Sequence, residues 1–139
     1  MTVTFCGHSD IFYDENIKRV LYNKLEELIT FGAKKFLLGG YGNFDILAAE
    51  AVNKLKEKYP YIESILVIPY LNRDYSTKLY DCTLYPPIET IPKKLAIIKR
   101  NAWMIENCDI LVAYVRREYG GAAKTLSFAE KNGKIIFRL

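Results

Sequence analysis

Residues 36 to 45 join a hydrophobic segment to a predicted helix through a turn that is rich in glycine. Gly39, Gly40 and Gly42 lack a Cβ, so the backbone there can adopt positive φ and a ligand can approach its N–H groups closely. Asn43 is a favoured N-cap, and apolar residues recur at helical spacing after it. Unpaired N–H groups and the positive end of the helix dipole would face a bound anion. The pattern therefore predicts a phosphate-binding turn.

This turn matches neither of the common nucleotide-binding motifs. No Lys-Ser or Lys-Thr pair follows the last glycine, as in the Walker motif, and no third glycine follows at the spacing of the dinucleotide fingerprint. Glycines in this position can also serve only as a tight connection between a strand and a helix. A second turn of the same kind, Gly120-Gly121, precedes another predicted helix. It favours a functional interpretation, because two such turns can form two walls of a crevice.

The composition is that of an ordinary globular domain. The chain has 139 residues, of which 50% are hydrophobic and 26% charged. This length predicts one domain, residues 1–139, that buries a core without disulfide staples. The formal net charge of +4 is mild and its Lys and Arg residues are scattered. Phosphate-bearing small molecules are thus favoured over cationic ligands, and a nucleic-acid surface is not indicated.

Cysteine usage and hydropathy restrict the cellular setting. The three cysteines form no C-x-x-C pair, which fits neither a disulfide framework nor a zinc site and predicts reduced thiols and no metal. The N-terminus has no basic region before a long apolar run, and no segment approaches the roughly 18 apolar residues of a membrane span. The sequence predicts a cytoplasmic protein with no membrane partner.

Strand and helix patterns alternate along the chain. Five short apolar segments have the character of strands: residues 2–6, 35–38, 64–68, 109–115 and 134–137. Helical spacing between them predicts four helices. This order predicts an α/β fold with a doubly wound, Rossmann-like parallel sheet of five strands in the order 3-2-1-4-5, with helices on both faces. Ligands bind such sheets at the carboxyl ends of the strands, where the order reverses, here between the first and fourth strands.

One segment, residues 69 to 92, interrupts this alternation. It contains four tyrosines and a Pro-Pro pair and has neither a helical nor a strand period. A loop this long inside a compact domain is usually functional or wrongly assigned. It is predicted to be a lid, a subunit contact or a plain crossover connection.

Several polar residues would meet in the crevice. His8, the single histidine, follows the first strand and could bond a ligand, act as a general base or satisfy a local carbonyl. Asp10, Asp45 and Glu118 are the carboxylates nearest the predicted mouth. A carboxylate there could stabilise an oxocarbenium-like transition state, although Asp45 could equally complement the helix dipole. Thr125 could donate to phosphate or cap a helix.

Taken together, these motifs resemble the SLOG superfamily. The resemblance rests on a first strand ending Phe-Cys-Gly-His, a second ending Gly-Gly-Tyr-Gly-Asn-Phe-Asp, an Arg-Asn pair on the third helix and a late Gly-Gly before a helix. That group includes the LONELY GUY-type nucleotide phosphoribohydrolases and the DNA-processing protein A fold, and the chain is similar in particular to its small stand-alone bacterial and phage members. The resemblance implies a Rossmann-like domain that binds nucleotides or nucleotide-derived ligands, as a homodimer or higher homo-oligomer.

The resemblance also implies roles for single residues. Arg100 matches a ligand-facing basic position, and the two glycine turns match the phosphate-facing loops of the superfamily. Together with the residues at the end of the first strand, the expected ligand and phosphate contacts are Gly7, His8, Gly39, Gly40, Gly42, Asn43, Arg100, Gly120, Gly121 and Thr125.

The chain departs from the phosphoribohydrolases at the second turn. Those enzymes carry a glutamate after Pro-Gly-Gly-x-Gly-Thr, whereas residues 119–127 contain no carboxylate. An N-glycosidic hydrolase of nucleoside 5′-monophosphates would need Asp45 or Glu118 as the replacement. The first hypothesis is therefore nucleotide binding without a cofactor, the second is hydrolysis, and the third is single-stranded DNA binding, which the modest charge disfavours.

Overall fold

A computed structural model describes residues 1–139 as a six-stranded, fully parallel sheet with two helices on each face. The strands are β1 (Thr2–Gly7), β2 (Lys35–Leu38), β3 (Glu63–Val67), β4 (Cys82–Leu84), β5 (Ile110–Tyr114) and β6 (Ile135–Arg138). The helices are α1 (Glu15–Thr30), α2 (Asn43–Lys58), α3 (Ala96–Glu106) and α4 (Gly121–Lys131), and a short 3₁₀ turn, Lys93–Leu95, precedes α3. None of the helices combines the length and the apolar character needed to cross a bilayer.

The predicted fold class is confirmed, but the sheet has six strands instead of five. Its order is β4-β3-β2-β1-β5-β6, which adds an edge strand to the predicted order. The extra strand, β4, lies in the tyrosine-rich segment and has only three residues, two of them exposed. It is therefore too short to show a period. A neighbouring side chain fixes its place, since Asp81 accepts the Ser64 N–H through Oδ2 at 2.8 Å.

The strands alternate their side chains between two cores. Phe36 and Leu38 pack with α1 and α2 on one face, whereas Leu37, between them, packs with Met104 of α3 on the other. The larger core, on the α1 and α2 face, contains 18 buried residues. Because both faces are covered, the strands read as continuous apolar segments.

The sheet brings the two glycine turns to the same edge. β1 pairs with β2 on one side and β5 on the other, so the connections β2–α2 and β5–α4 both begin at carboxyl ends that flank β1. Gly42 is the N-cap of α2 and Gly120 the N-cap of α4. The position at which the strand order reverses therefore lies between two helix N-termini.

Candidate functional site

A cavity of about 400 Å³ opens at the carboxyl end of β1, between α3 and the N-terminus of α4. Its walls come from residues 5–10, Tyr41, the first turn of α2, the inner face of α3, Arg117, residues 119–122 and Thr125. Of the predicted site residues, those that line it are Gly7, His8, Asp45, Arg100, Gly120, Gly121 and Thr125. Residues that are far apart in sequence thus meet at the reversal point of the sheet.

Arg100 forms the inner wall and is only 2% exposed. Its Nη1 donates to the carbonyl oxygens of Gly39 and Val67, both at 2.8 Å. These carbonyls follow β2 and end β3, so the guanidinium ties two strand ends together. Its Nε donates to Asn101 Oδ1 at 2.9 Å.

The charge of Arg100 has no ion-pair partner in the chain. Its Nη2 makes no hydrogen bond. The only side-chain nitrogen that is both unpaired and fully enclosed by the protein is Arg117 Nε. Arg100 Nη2 is therefore accessible, and Arg100 lines the cavity. Burial lowers the pKa of Arg100. A buried, unpaired positive charge is unfavourable, so an anion in the cavity would supply the missing counter-charge.

Asp45 is the carboxylate nearest to this guanidinium. The two groups lie on either side of Gly39, where a Cβ would be 3.0 Å from Asp45 Oδ2 and 3.4 Å from Arg100 Cζ. Asp45 Oδ2 accepts the Tyr41 N–H at 3.0 Å. Burial raises the pKa of Asp45 to about 6, against the opposing effects of that hydrogen bond and of Arg100. Gly39 therefore allows a positive and a negative group to face one cavity without touching.

Two neutral side chains add donors to the wall. Asn101 uses its Oδ1 to accept from Arg100, which can only donate, so the Asn101 NH₂ group is left without a partner. His8 is 2% exposed, and its Nε2 accepts the Arg116 N–H at 2.8 Å. The neutral imidazole therefore carries its proton on Nδ1, and burial lowers the pKa of His8 further. In this arrangement His8 has no free lone pair, so it can donate a hydrogen bond but cannot act as the general base.

The second glycine turn is open. Gly120 has a φ of 92°, and a Cβ on Gly120 or Gly121 would meet no atom within 4 Å. No side chain caps α4, so the N–H groups of its first turn have no partner within the helix. Gly121 and Ala122 of this turn line the cavity. Thr125 is not free to donate, since its Oγ1 bonds the Gly121 carbonyl at 2.9 Å.

The first glycine turn is filled. A Cβ on Gly40 would lie 2.5 Å from Leu66 Cδ1, and one on Gly42 would lie 2.6 Å from Ser9 Cα. Asn43 donates its N–H to the Ser9 carbonyl at 3.1 Å and its amide to the Ile11 carbonyl at 2.9 Å. These contacts pin the turn to the loop after β1.

Five predicted site residues consequently lie outside the cavity wall. Gly39, Gly40, Gly42 and Asn43 support the wall from behind, while Glu118 is exposed on the loop before α4. The first turn contributes Tyr41 and Asp45 instead. Gly7 lines the cavity, but its lack of a Cβ is explained by packing, because a Cβ there would overlap the ring of Phe44.

The mouth carries three residues that the sequence analysis did not select, Arg117, Tyr41 and Tyr119. Arg117 forms a two-pronged pair with Asp10, with Nη2–Oδ1 and Nη1–Oδ2 distances of 2.6 and 3.1 Å. Tyr41 and Tyr119 line the cavity and are 63% and 69% exposed. A signal for the tyrosines was present, since each directly precedes an N-cap glycine.

The cavity wall contains one cysteine thiol and no cluster of metal ligands. Cys6 lines the cavity, but burial raises the pKa of its thiol to about 12, so the reactive thiolate is absent near neutral pH. No group of three or more His, Cys, Asp or Glu side chains is placed to hold a metal ion.

Three proteins of known structure resemble this architecture over 99% of the chain. DNA processing protein A from Helicobacter pylori, studied for its single-stranded DNA binding mode, superposes with a TM-score of 0.69 at 21% identity, and the protein from Streptococcus pneumoniae with 0.70 at 15%. The chain spans 64% and 49% of those two proteins. The molybdenum cofactor carrier protein of Chlamydomonas reinhardtii has a TM-score of 0.60 at 20% identity, with 74% of it covered. These likenesses show the fold.

Sequence relatives include two bacterial proteins. An uncharacterized SPbeta prophage-derived protein, YoqJ of Bacillus subtilis, is 29% identical, with 88% of this chain and 86% of the relative covered. A UPF0398 protein of Halalkalibacterium halodurans is 27% identical, with 90% of this chain and 71% of the relative covered. The model of the YspA SLOG family matches residues 10–80, just over half of the chain. The chain therefore belongs to the YspA SLOG family, which confirms the resemblance indicated by its motifs.

Proposed function

We propose that the protein binds a nucleotide or nucleotide-derived ligand in this cavity, with the phosphate between the N-terminus of α4 and Arg100. The observation that carries the proposal is Arg100, a residue that is only 2% exposed yet has no ion pair and has one guanidinium NH₂ group without a partner. A dianionic phosphate would pair with this charge and accept from the open first turn of α4.

The balance of donors and acceptors supports this assignment. The cavity wall carries five hydrogen-bond donors: Arg100 Nη2, the Asn101 amide, His8 Nδ1 and the N–H groups of Gly121 and Ala122. Asp45 is the carboxylate that faces them, and its Oδ1 accepts no hydrogen bond from the chain. A ligand rich in acceptors with a few hydroxyl donors, as in a ribose phosphate, complements such a wall.

The first glycine turn has a supporting role in this proposal. It does not touch the phosphate, but it holds the Gly39 carbonyl against Arg100 and orients Asp45 through the Tyr41 N–H. The phosphate contacts are thereby assigned to the second turn, Gly120 and Gly121.

A proline substitution tests the phosphate site directly. Gly121 is the first residue of α4, a position that tolerates proline because its N–H is unpaired within the helix. Gly121→Pro removes one donor and keeps the fold, while Gly121→Ala keeps the donor and serves as the matched control. Nucleoside 5′-monophosphates should raise the melting temperature of the wild type and of Gly121→Ala by mass action. For Gly121→Pro we expect a roughly tenfold weaker affinity, as for loss of one charge-assisted hydrogen bond of about 1.5 kcal/mol.

Arg100 supplies a second test. Arg100→Met should abolish the nucleotide-dependent shift and lower the stability of the free protein, because the Gly39 and Val67 carbonyls lose their donor. Arg100→Lys keeps the charge and should retain part of the binding. If no nucleoside monophosphate shifts the wild-type melting curve at millimolar concentration, the proposal is wrong.

Hydrolysis of the N-glycosidic bond is the second candidate, favoured by the place of Asp45. This carboxylate lines the cavity and has a pKa raised to about 6, near the range useful for acid–base catalysis. Incubation with the four nucleoside monophosphates and chromatography of the free base tests it. Release that is lost in Asp45→Asn while binding persists would support hydrolysis, and absence of release from the bound wild type would exclude it.

Single-stranded DNA binding is the third candidate, and the exposed tyrosines at the mouth favour it because bases stack on aromatic rings. It predicts a strong loss of affinity with added salt, since each phosphate contact releases counterions. A gel shift of a thymidine oligomer at two ionic strengths distinguishes it from mononucleotide binding. The homodimer or higher homo-oligomer implied by the family resemblance is a further part of the proposal, and sedimentation analysis tests it.

A further inference from the structure

We infer that Tyr41 and Tyr119 form an aromatic subsite at the cavity mouth, which packs against the planar base of a free mononucleotide. This inference rests on the proposed function, because the phosphate end of the ligand is taken to lie at α4 and Arg100. It adds the identity of the other end of the ligand and the two side chains that would select it.

The two tyrosines occupy equivalent positions in the two turns. Each directly precedes an N-cap glycine, and these glycines have nearly the same conformation, φ 89° and ψ 175° at Gly42 and φ 92° and ψ 178° at Gly120. Both tyrosines line the same cavity, and they are 63% and 69% exposed. Two large aromatic surfaces from distant parts of the chain are thus left open at one opening.

Both residues are held in place without being covered. The N–H of Tyr41 donates to Asp45 Oδ2 at 3.0 Å, which anchors the start of its side chain. Arg117 Cζ lies 5.4 Å from the centre of the Tyr119 ring, and the same guanidinium is fixed by Asp10. The Tyr41 contact fixes its backbone, whereas the Tyr119 ring itself lies against a fixed neighbour and so loses little conformational entropy when a ligand stacks on it.

The layout of the cavity indicates a ligand of one nucleotide unit. Its wall presents the buried guanidinium of Arg100 and the N–H groups of the first turn of α4, and its exposed side chains include two aromatic rings, so the matching molecule combines an anionic group with a flat one. A volume of about 400 Å³ is near the lower end of the 300 to 1,000 Å³ typical of ligand pockets. This size favours a mononucleotide over a dinucleotide.

Comparison of AMP with ribose 5-phosphate tests the inference, because the second compound has a hydroxyl group in place of the base. Isothermal titration calorimetry should show that the wild type binds AMP about 10- to 100-fold more tightly than ribose 5-phosphate, as expected for stacking of one base. Tyr41→Ala and Tyr119→Ala should each reduce this ratio several-fold and leave the affinity for ribose 5-phosphate unchanged. Tyr41→Phe and Tyr119→Phe keep the ring and should retain the wild-type ratio.

The outcomes separate this inference from the proposed function. Equal affinity for AMP, GMP, CMP, UMP and ribose 5-phosphate would overturn the aromatic subsite and leave phosphate binding intact. Alanine variants that keep the full ratio would also overturn it. Binding of neither class to the wild type would overturn the proposed function itself. A thymidine oligomer that binds more tightly than its monophosphate, with a steep dependence on salt, would replace the free mononucleotide by a DNA strand.

Discussion

The two glycine turns share one backbone conformation but have opposite surroundings. Gly42 and Gly120 cap their helices with φ and ψ that differ by only a few degrees. A Cβ on Gly42 would overlap Ser9, whereas a Cβ on Gly120 would reach nothing within 4 Å. The first glycine is required by packing, and the second leaves space at the cavity. A glycine in a strand-to-helix turn therefore leaves room for another group. The surrounding structure decides whether that room is filled by the protein, as at Gly42, or stays open to the cavity, as at Gly120.

The difference follows from where each helix packs. Phe44, the second residue of α2, is fully buried in the larger core, and Asn43 bonds two carbonyls of the loop after β1. This clamps the first turn against its neighbours. The N-cap and the first residue of α4 are instead exposed glycines, and the helix contacts the smaller core only from Leu126 onward.

The largest predicted effect is that of Gly42→Ala on stability. The new Cβ would lie 2.6 Å from Ser9 Cα in a backbone region that alanine rarely adopts. We expect the free energy of unfolding to fall by roughly 3 kcal/mol or more, from overpacking together with the strain of a positive φ at an extended ψ. Urea denaturation of the free protein measures this. A loss below that of Gly120→Ala would show that the first turn is not the packed one.

The next effect concerns the carboxylate that the first turn contributes to the cavity. In the folded protein the pKa of Asp45 is raised from 3.8 to about 6, so ionisation of this group opposes folding above pH 6 and has no such cost near pH 4. Asp45→Asn should therefore be more stable than the wild type at pH 7.5, by on the order of 2 kcal/mol.

This advantage should disappear as the pH falls through 6 toward 4. Denaturation of both proteins at several pH values measures the difference between their free energies of unfolding. The contributions of the other titratable groups are the same in both proteins and cancel in this difference. A constant difference across the range would mean that Asp45 titrates normally, and that the first turn does not place it in an unfavourable environment.

A smaller effect is expected for Gly120→Ala. The position has a φ of 92° and a ψ of 178° but open space around it, so only the cost of backbone strain remains, about 1 to 2 kcal/mol. The difference between this variant and Gly42→Ala isolates the packing contribution. The melting temperature in the absence of ligand is a sufficient measurement.

The smallest effect is expected for Gly121→Ala. This residue is in the first turn of α4 with no positive φ and no neighbour within 4 Å. Alanine has the higher helix propensity by up to about 1 kcal/mol, so the free protein should be unchanged or slightly more stable. A clear destabilisation would indicate that the second turn is packed after all, and the contrast between the two turns would be lost.

The periodicity of apolar residues predicted most of the fold, and it failed at one strand that is too short to show a period. The alternation of apolar segments with helical spacing indicated five strands, four helices and the reversal point beside β1. The edge strand β4 was missed because three residues, Cys82 to Leu84, are too few to show a period. Its pairing depends on Asp81 and Ser64, which lie 17 positions apart.

The candidate site was predictable by region and less so by residue. The sequence placed the end of β1 and the two glycine turns near one crevice, because carboxyl ends of parallel strands meet at one edge, and the family resemblance added Arg100. It could not show that His8 Nε2 is occupied by the Arg116 N–H, since that contact joins residues 108 positions apart. It also could not separate Asp45, which lines the cavity, from Glu118, which does not.

The sequence by itself determined the layered architecture of this protein and the conformational freedom of its two glycine turns. The first depends on the spacing of apolar residues and the second on the missing Cβ of glycine, and both are local properties of the chain. The tertiary structure decided which turn is closed, which donors keep a free hydrogen and which aromatic rings reach the mouth. These outcomes depend on atoms brought together from distant parts of the chain, such as Ser9 against Gly42 and Gly39 between Asp45 and Arg100. Local sequence does not encode such distances, because they arise only when the sheet has formed and both of its faces are packed.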